Sequence, residues 1–195
     1  LQVLRSSVTT ARGSSKLEAD YLNGVLITES KVCPADGHTF SEGERIRHSR
    51  MGITTELGEL IDIFKKHIYY GKDIKELHLK EELGDCLWYV GLGFNVCNII
   101  AANPNMEMVH GVEVPEGLEG AMHIITDSTL DYEDRLHYVF RTLVTIVKMQ
   151  GLNYDEILTM NLAKLRERYG KSFDADRAVN RDTTAEYVAM KNKEG

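Results

Sequence analysis

Two acidic pairs carry the chemistry that this sequence can be read for: Glu56-Leu-Gly-Glu59 and Glu82-Leu-Gly-Asp85. In each pair the carboxylates are three residues apart, which on a helix sets them on one face about one turn apart. Each pair also leads into an apolar run, the second opening fifteen residues without charge, from Cys86 to Ile100. With residues placed at steps of about 100° around a helix, Ile53, Leu57, Leu60, Ile61, Ile63, Phe64, His67 and Ile68 cover one broad arc. Glu56 falls inside that arc and Glu59 at its edge, while Asp62, Lys65 and Lys66 lie outside it. Glu82 and Asp85 enter a segment that is apolar nearly all round. A carboxylate aimed into a core is costly unless it is paired or bound to a cation. Lys65 and Lys66 point elsewhere, and Lys80 is on another side of its helix from Glu82. Four carboxylates from two facing helices offer hard oxygen ligands, which suit Mg²⁺, with Mn²⁺ as the alternative. One such pair alone reads as helix-start charge or a surface ion pair. Two pairs with the same spacing, and the same Leu-Gly between the acids, favour a shared metal site completed by substrate phosphate.

A second constellation lies downstream in NLAKLRERYGKSF, beginning at Asn161. Lys164 and Arg168 are four apart, so one helix face presents two cations, and Asn161 shares that face. An amide there is able to read a base edge or a sugar.

Together, these blocks resemble the MazG-like all-alpha nucleoside triphosphate pyrophosphohydrolases. The family motif is ExxE, a spacer of some twenty residues, then ExxD; here twenty-two residues separate Glu59 from Glu82. The downstream block is similar to the family's N-x-x-K-L-x-x-R signature, and AVNRD, ending at Asp182, to the segment that often follows it. The match covers roughly 41–182. It implies a fold, a four-to-five-helix bundle that assembles into a homo-oligomer, dimer or tetramer. It also implies Mg²⁺-dependent cleavage of a (deoxy)nucleoside triphosphate between its α and β phosphates, giving monophosphate and pyrophosphate. By this resemblance Glu56, Glu59, Glu82 and Asp85 are the metal ligands and the catalytic acids. Asn161, Lys164 and Arg168 would hold the nucleotide and its phosphates. Two alternatives stay open: a related activity on another nucleotide, of the phosphoribosyl-ATP type, and a non-catalytic metal- or nucleotide-binding bundle. Two positions depart from the family pattern. Thr55 stands where some members carry a further carboxylate, which leaves the general base unassigned. Gly170 stands where proline often follows the aromatic residue.

Lesser candidates surround these. His48 and Arg50 precede Glu56 by two turns or less and are within reach of a phosphate, or sit on the surface. Trp88 and Tyr89 line a base pocket or pack in the core. Gly91-Leu-Gly93 lacks the rest of a dinucleotide fingerprint and reads as a close helix approach. Glu107 and His110 form a lone ExxH, where di-iron bundles need two.

The elements that must position these residues read as helices. Ser41 with Glu44 is a capping box, opening a helix from about Glu42 to Tyr70 with a break near Met51-Gly52 and a stop at Gly71. Asp73 with Glu76 opens the next, to about Ala101. Residues 103–127 form a connection with one short helix near AMHII. Ser128 with Asp131 opens a helix closed by Gly151, and Asn153 with Glu156 opens one closed by Gly170. Residues 1–40 read as an arm with a short helix in LEADYLNGVLI, the chain from Lys171 as polar and irregular, and 183–195 as a polar tail. The all-α class follows, with 41–182 as the main domain.

Composition narrows the partners. A net charge of −7 over 195 residues opposes a nucleic-acid surface, but not a nucleoside triphosphate substrate neutralised by metal. Three cysteines without a CxxC pair suggest a reduced protein, with Cys86 and Cys97 as core residues. Fifteen uncharged residues fall short of the roughly 20 that a membrane span needs. With no leader pattern, the expected location is cytoplasmic.

Overall fold

The computed structural model describes residues 16–99 and 113–193, and within them the chain is all-α. Eight helices run in order: α1 Lys16–Thr28, α2 Glu42–Tyr70, α3 Glu76–Val96, α4 Val114–Thr126, α5 Tyr132–Met149, α6 Tyr154–Tyr169, α7 Ala175–Val179 and α8 Thr183–Lys191. The four to five helices expected are thus too few. The α1–α2 connection is a hairpin-like turn, closed by an isolated bridge between Val32 and Thr39.

Several ends form as their residues dictate. Ser41 and Glu44 make the reciprocal capping box of α2, and Gly71 ends it in the left-handed region with φ 63°. The Asn153 side chain accepts from the Asp155 and Glu156 amides at the start of α6. Other expectations are corrected. α2 does not break at Met51-Gly52. Gly52 serves close approach there, because a Cβ would fall 2.2 Å from the Tyr89 ring of α3. Asp73 does not cap α3, which begins after Lys75 without a side-chain cap and ends at Val96. Ser128 does not open α5; Asp131 does, accepting from the Glu133 amide. α4 is 13 residues long, with proline in its first turn, where a missing N–H costs nothing. The chain after Lys171 is not irregular, since it forms α7 and α8. The expected ExxH, Glu107 and His110, lies outside the described residues.

α3 is the central helix, packing on α1, α2, α5 and α6. That environment explains its all-round apolar sequence: Leu79, Leu83, Cys86, Leu87, Val90, Leu92, Phe94 and Val96 are all buried. Each such side chain contributes about 1.5–3 kcal/mol when fully buried. Gly93 has Leu136 and Ser49 atoms 2.8 Å from where a Cβ would stand, bearing out close helix approach at Gly91-Leu-Gly93. Cys97 is only partly buried against the same core. α8 packs on α6 and buries Met190 and Glu186. No helix among the described residues is long and apolar enough to cross a membrane.

The α2–α3 contact yields a stability test. Gly52→Ala, which drives a methyl into the Tyr89 ring, should destabilise the fold by about 1–3 kcal/mol in denaturant melts. Gly58→Ala is the internal comparison, with the nearest atom 3.9 Å away at Met122. It should be neutral or stabilising by up to about 1 kcal/mol, through helix propensity.

Candidate active site

The two acidic pairs meet because α2 and α3 pack closely and the leucine of each motif points into the core. Leu57 and Leu83 are fully buried, which turns Glu56 and Glu59 toward Glu82. One carboxylate oxygen from each of these three lies within 4.8 Å of the others. The glycines of the two motifs differ in purpose. Gly58 is open, whereas a Cβ on Gly84 would lie 3.0 Å from the Asn161 Cβ, so Gly84 lets α6 come close behind the acids.

Asp85 stands apart from the three glutamates because α6 holds it. Asn161 Nδ2 donates to Asp85 Oδ1 at 2.7 Å, and the fully buried Lys164 ammonium binds Asp85 Oδ2 and, at 3.3 Å, Glu81 Oε1. Tyr21 of α1 completes the layer, its hydroxyl donating to Asn161 Oδ1 at 3.0 Å and to the Gly84 carbonyl at 3.2 Å. A reciprocal tie braces the same two helices: buried Lys80 of α3 reaches Glu156 of α6 at 2.8 Å.

These acids face a cavity of about 390 Å³. Glu56, Glu59, Glu81, Glu82 and Asp85 line it, together with Arg168 of α6 and Arg181 of the α7–α8 link. The remaining wall is largely aromatic: His48, Trp88, Tyr89, Tyr169 and Phe173. Trp88 and Tyr89 meet edge to face at 4.9 Å and His48 packs on both, so these residues are cavity wall and core at once. Trp88 is anchored by its indole N–H donating to Thr28 Oγ1 at 2.9 Å.

Burial and mutual repulsion show in the carboxyl groups. Desolvation first, then the charges of Asp85 and Glu59, push Glu56 up to about 7. Desolvation, with Glu59 and Asp85 next, pushes Glu82 up to about 8. Desolvation works against the Lys164 ammonium, but Asp85 and Glu81 outweigh it and raise its pKa. Burial pushes the His48 imidazole down.

All seven residues singled out in the sequence lie in this region, in two layers. Glu56, Glu59, Glu82, Asp85 and Arg168 line the cavity. Asn161 and Lys164 do not; their polar atoms go to Asp85 behind it. Arg50 does not line the cavity either. Four contributors escaped the sequence reading. Tyr21 lies in the segment read as an arm. His78 is four residues before Glu82, with Nδ1 3.3 Å from Glu82 Oε1, a spacing that was open to view. Arg181 stands in AVNRD, quoted above without a role for it, and Glu186 comes from the chain read as a polar tail. Arg168 directs Nε and Nη2 to Glu186 at 2.8 and 2.7 Å, and Arg181 Nη2 reaches Glu186 Oε2 at 2.8 Å. A further donor group, Cys33, Asp36 and His38, lies in the α1–α2 connection and lends the cavity nothing. Comparison of the chain with family models, with curated proteins and with solved structures gives no match.

Two tests follow from the geometry. Lys164→Met leaves Asp85, 25% exposed at the cavity wall, without its cation and should cost about 1–3 kcal/mol of stability. The double variant Lys164→Met/Asp85→Asn should recover part of that loss in denaturant melts, since the two side chains are directly coupled. The second test is pH. Between their ordinary value of 4.5 and their folded values of about 7 and about 8, Glu56 and Glu82 hold protons in the folded chain that the unfolded chain releases. Their contribution to stability therefore falls as pH rises through that window in chelator. Glu82→Gln should flatten the fall in melting temperature between pH 5 and pH 8.

Proposed function

We propose that this chain is a metal-dependent nucleoside triphosphate pyrophosphohydrolase of MazG-like kind, cleaving between the α and β phosphates. One observation carries this reading: carboxylates of two helices converge on the same cavity that two arginines and an aromatic wall share. The donor set fits the proposed cation. Oxygens of Glu56, Glu59 and Glu82 within 4.8 Å of one another are hard ligands of the type Mg²⁺ and Mn²⁺ take, and raised carboxyl pKa values mark a site short of positive charge. Bound there, the cation would offset carboxylate and phosphate charge and polarise a phosphoryl oxygen.

The side chains divide the remaining work. Lys164 and Asn161 fix Asp85 as an oriented acceptor at the cavity wall. Arg168 and Arg181 offer planar donor edges that match a phosphate chain. The Trp88, Tyr89 and Tyr169 rings offer faces on which a base can stack. Carboxylates beside the phosphate are placed to take the proton of an attacking water, and the aromatic wall limits bulk water. Assembly as a homo-oligomer belongs to the same proposal. Ile68, Tyr69 and Tyr70, more than half exposed at the end of α2, supply apolar surface for it.

The deciding experiment is product analysis with a panel of ribo- and deoxynucleoside triphosphates, with Mg²⁺ and with chelator. Monophosphate plus pyrophosphate is expected, metal-dependent and lost in Glu56→Gln by about a hundredfold or more. Diphosphate plus phosphate would overturn the bond assignment. Nucleotide-dependent melting shifts without turnover would identify a binding bundle instead.

A further inference from the structure

Arg168 and Arg181 both stand in the blocks that suggested the activity, but Arg181 was given no role there, and their shared partner Glu186 lies beyond those blocks. Glu186 is 2% exposed, yet it carries a full charge into the α6–α8 contact. A buried ion pair rarely repays its desolvation through stability alone. Here one carboxylate takes two guanidiniums, so the cluster keeps a net positive charge. Both arginines also line the cavity, and Glu186 does not. Of the five N–H donors on a guanidinium, Arg168 directs Nε and Nη2 to Glu186, and Arg181 directs Nη2. Arg168 also meets the side chain of Tyr169, itself a cavity residue, and both guanidiniums stand at the cavity wall. Long cationic side chains beside five acids would otherwise fold onto those acids. Glu186 holds them off, and its own element is well fixed: Asp182 caps α8 through the Ala185 amide at 3.0 Å, and Met190 is buried.

Resting on the pyrophosphohydrolase reading, we propose that Arg181 is a second phosphate-contacting residue beside Arg168, and that Glu186 is the positioning residue which presents both. The C-terminal helix α8 is then part of the polyphosphate site, and the ligand it serves is the phosphate chain, not the base.

The test uses the full chain with Mg²⁺ and three readouts: KM and kcat for a nucleoside triphosphate, calorimetric affinity for inorganic tripolyphosphate, and melting temperature. Arg181→Ala should raise KM and weaken tripolyphosphate binding about tenfold, with kcat changed about threefold or less. Arg181→Lys should restore part of that loss. Glu186→Gln should also raise KM, and combining it with Arg181→Ala should add less than the product of the two effects. Unchanged KM and tripolyphosphate affinity in Arg181→Ala would overturn the proposal. So would Glu186→Gln that lowers melting temperature while leaving KM and kcat as they were, which marks a brace only. If Glu186→Gln does not fold, Arg181→Ala decides alone, since that side chain is 39% exposed and outside the helices. Wild-type turnover with unchanged KM in Arg181→Ala and Glu186→Gln sinks this inference and leaves the pyrophosphohydrolase reading standing. Tripolyphosphate binding that Arg181→Ala weakens, without wild-type turnover, does the reverse. A wild-type chain that does neither overturns both.

Discussion

Five carboxylates on one cavity wall repel one another, and the buried Lys164 ammonium is the answer built into the fold. It touches Asp85 and Glu81 directly and stands fully out of water. An unpaired ammonium there would be prohibitive, whereas Asp85 keeps some access to the cavity. Asp85 makes the ammonium tolerable, and the pair locks α6 against α3. Much of the surrounding sequence serves this contact. Gly84 gives α6 its approach, Asn161 and Tyr21 fill the remaining hydrogen-bonding capacity, and the opposite Lys80–Glu156 tie keeps the helices in register. Only Asp85 and Glu81 touch that ammonium. Glu56 and Glu82 are pushed up, first by burial and then by the charges of neighbouring carboxylates, and Lys164 offsets only part of this at Glu56. The fold thus neutralises part of the wall itself and leaves oxygens of Glu56, Glu59 and Glu82 clustered, with no lysine or arginine in contact with them among the described residues and only His78 beside Glu82.

The sequence made the acidic wall legible because its signal is local. Like spacing, like Leu-Gly inserts and a following apolar run are all readable within one helix. The layered arrangement was not legible, because it depends on which face of α6 meets α3. Asn161, Lys164 and Arg168 share a helix face by spacing, yet only Arg168 reaches the cavity. Its position one turn further along carries it past the α3 contact that captures the other two. Helix ends were read well where a cap is a short-range hydrogen bond, as at Ser41 and Asn153. They were misread where two acceptors stood close together, as at Ser128 and Asp131, since spacing alone does not choose between them.

The tail failed for a different reason. In residues 183–191 the larger apolar side chains are Tyr187, Val188 and Met190, and only Met190 turns inward, so periodicity had little to work with. What folds α8 onto α6 is Met190 together with an ion cluster, and charge pairing across distant segments leaves no periodic trace. The arm is a different case. Its short helix was legible and forms as α1, but its contacts were not: Tyr21 and Val25 are buried and the Tyr21 hydroxyl reaches the layer behind Asp85.

The two buried ion clusters act in opposite senses on the same cavity. Lys164 brings positive charge up beneath a carboxylate and fixes it. Glu186 brings negative charge up beneath two guanidiniums and fixes them. Each buried group is shielded from water, so each holds its partner more firmly than a surface ion pair would. Each partner in turn lines the cavity. The outcome is a wall whose signs are sorted: acids from α2 and α3, guanidiniums from α6 and the α7–α8 link. Without those buried counter-charges, flexible arginines and glutamates around one small cavity would pair with each other and close it. Keeping them apart at the cost of two desolvated ion clusters is intelligible where both signs must be met by something from outside: a cation at the acids and an anion at the arginines.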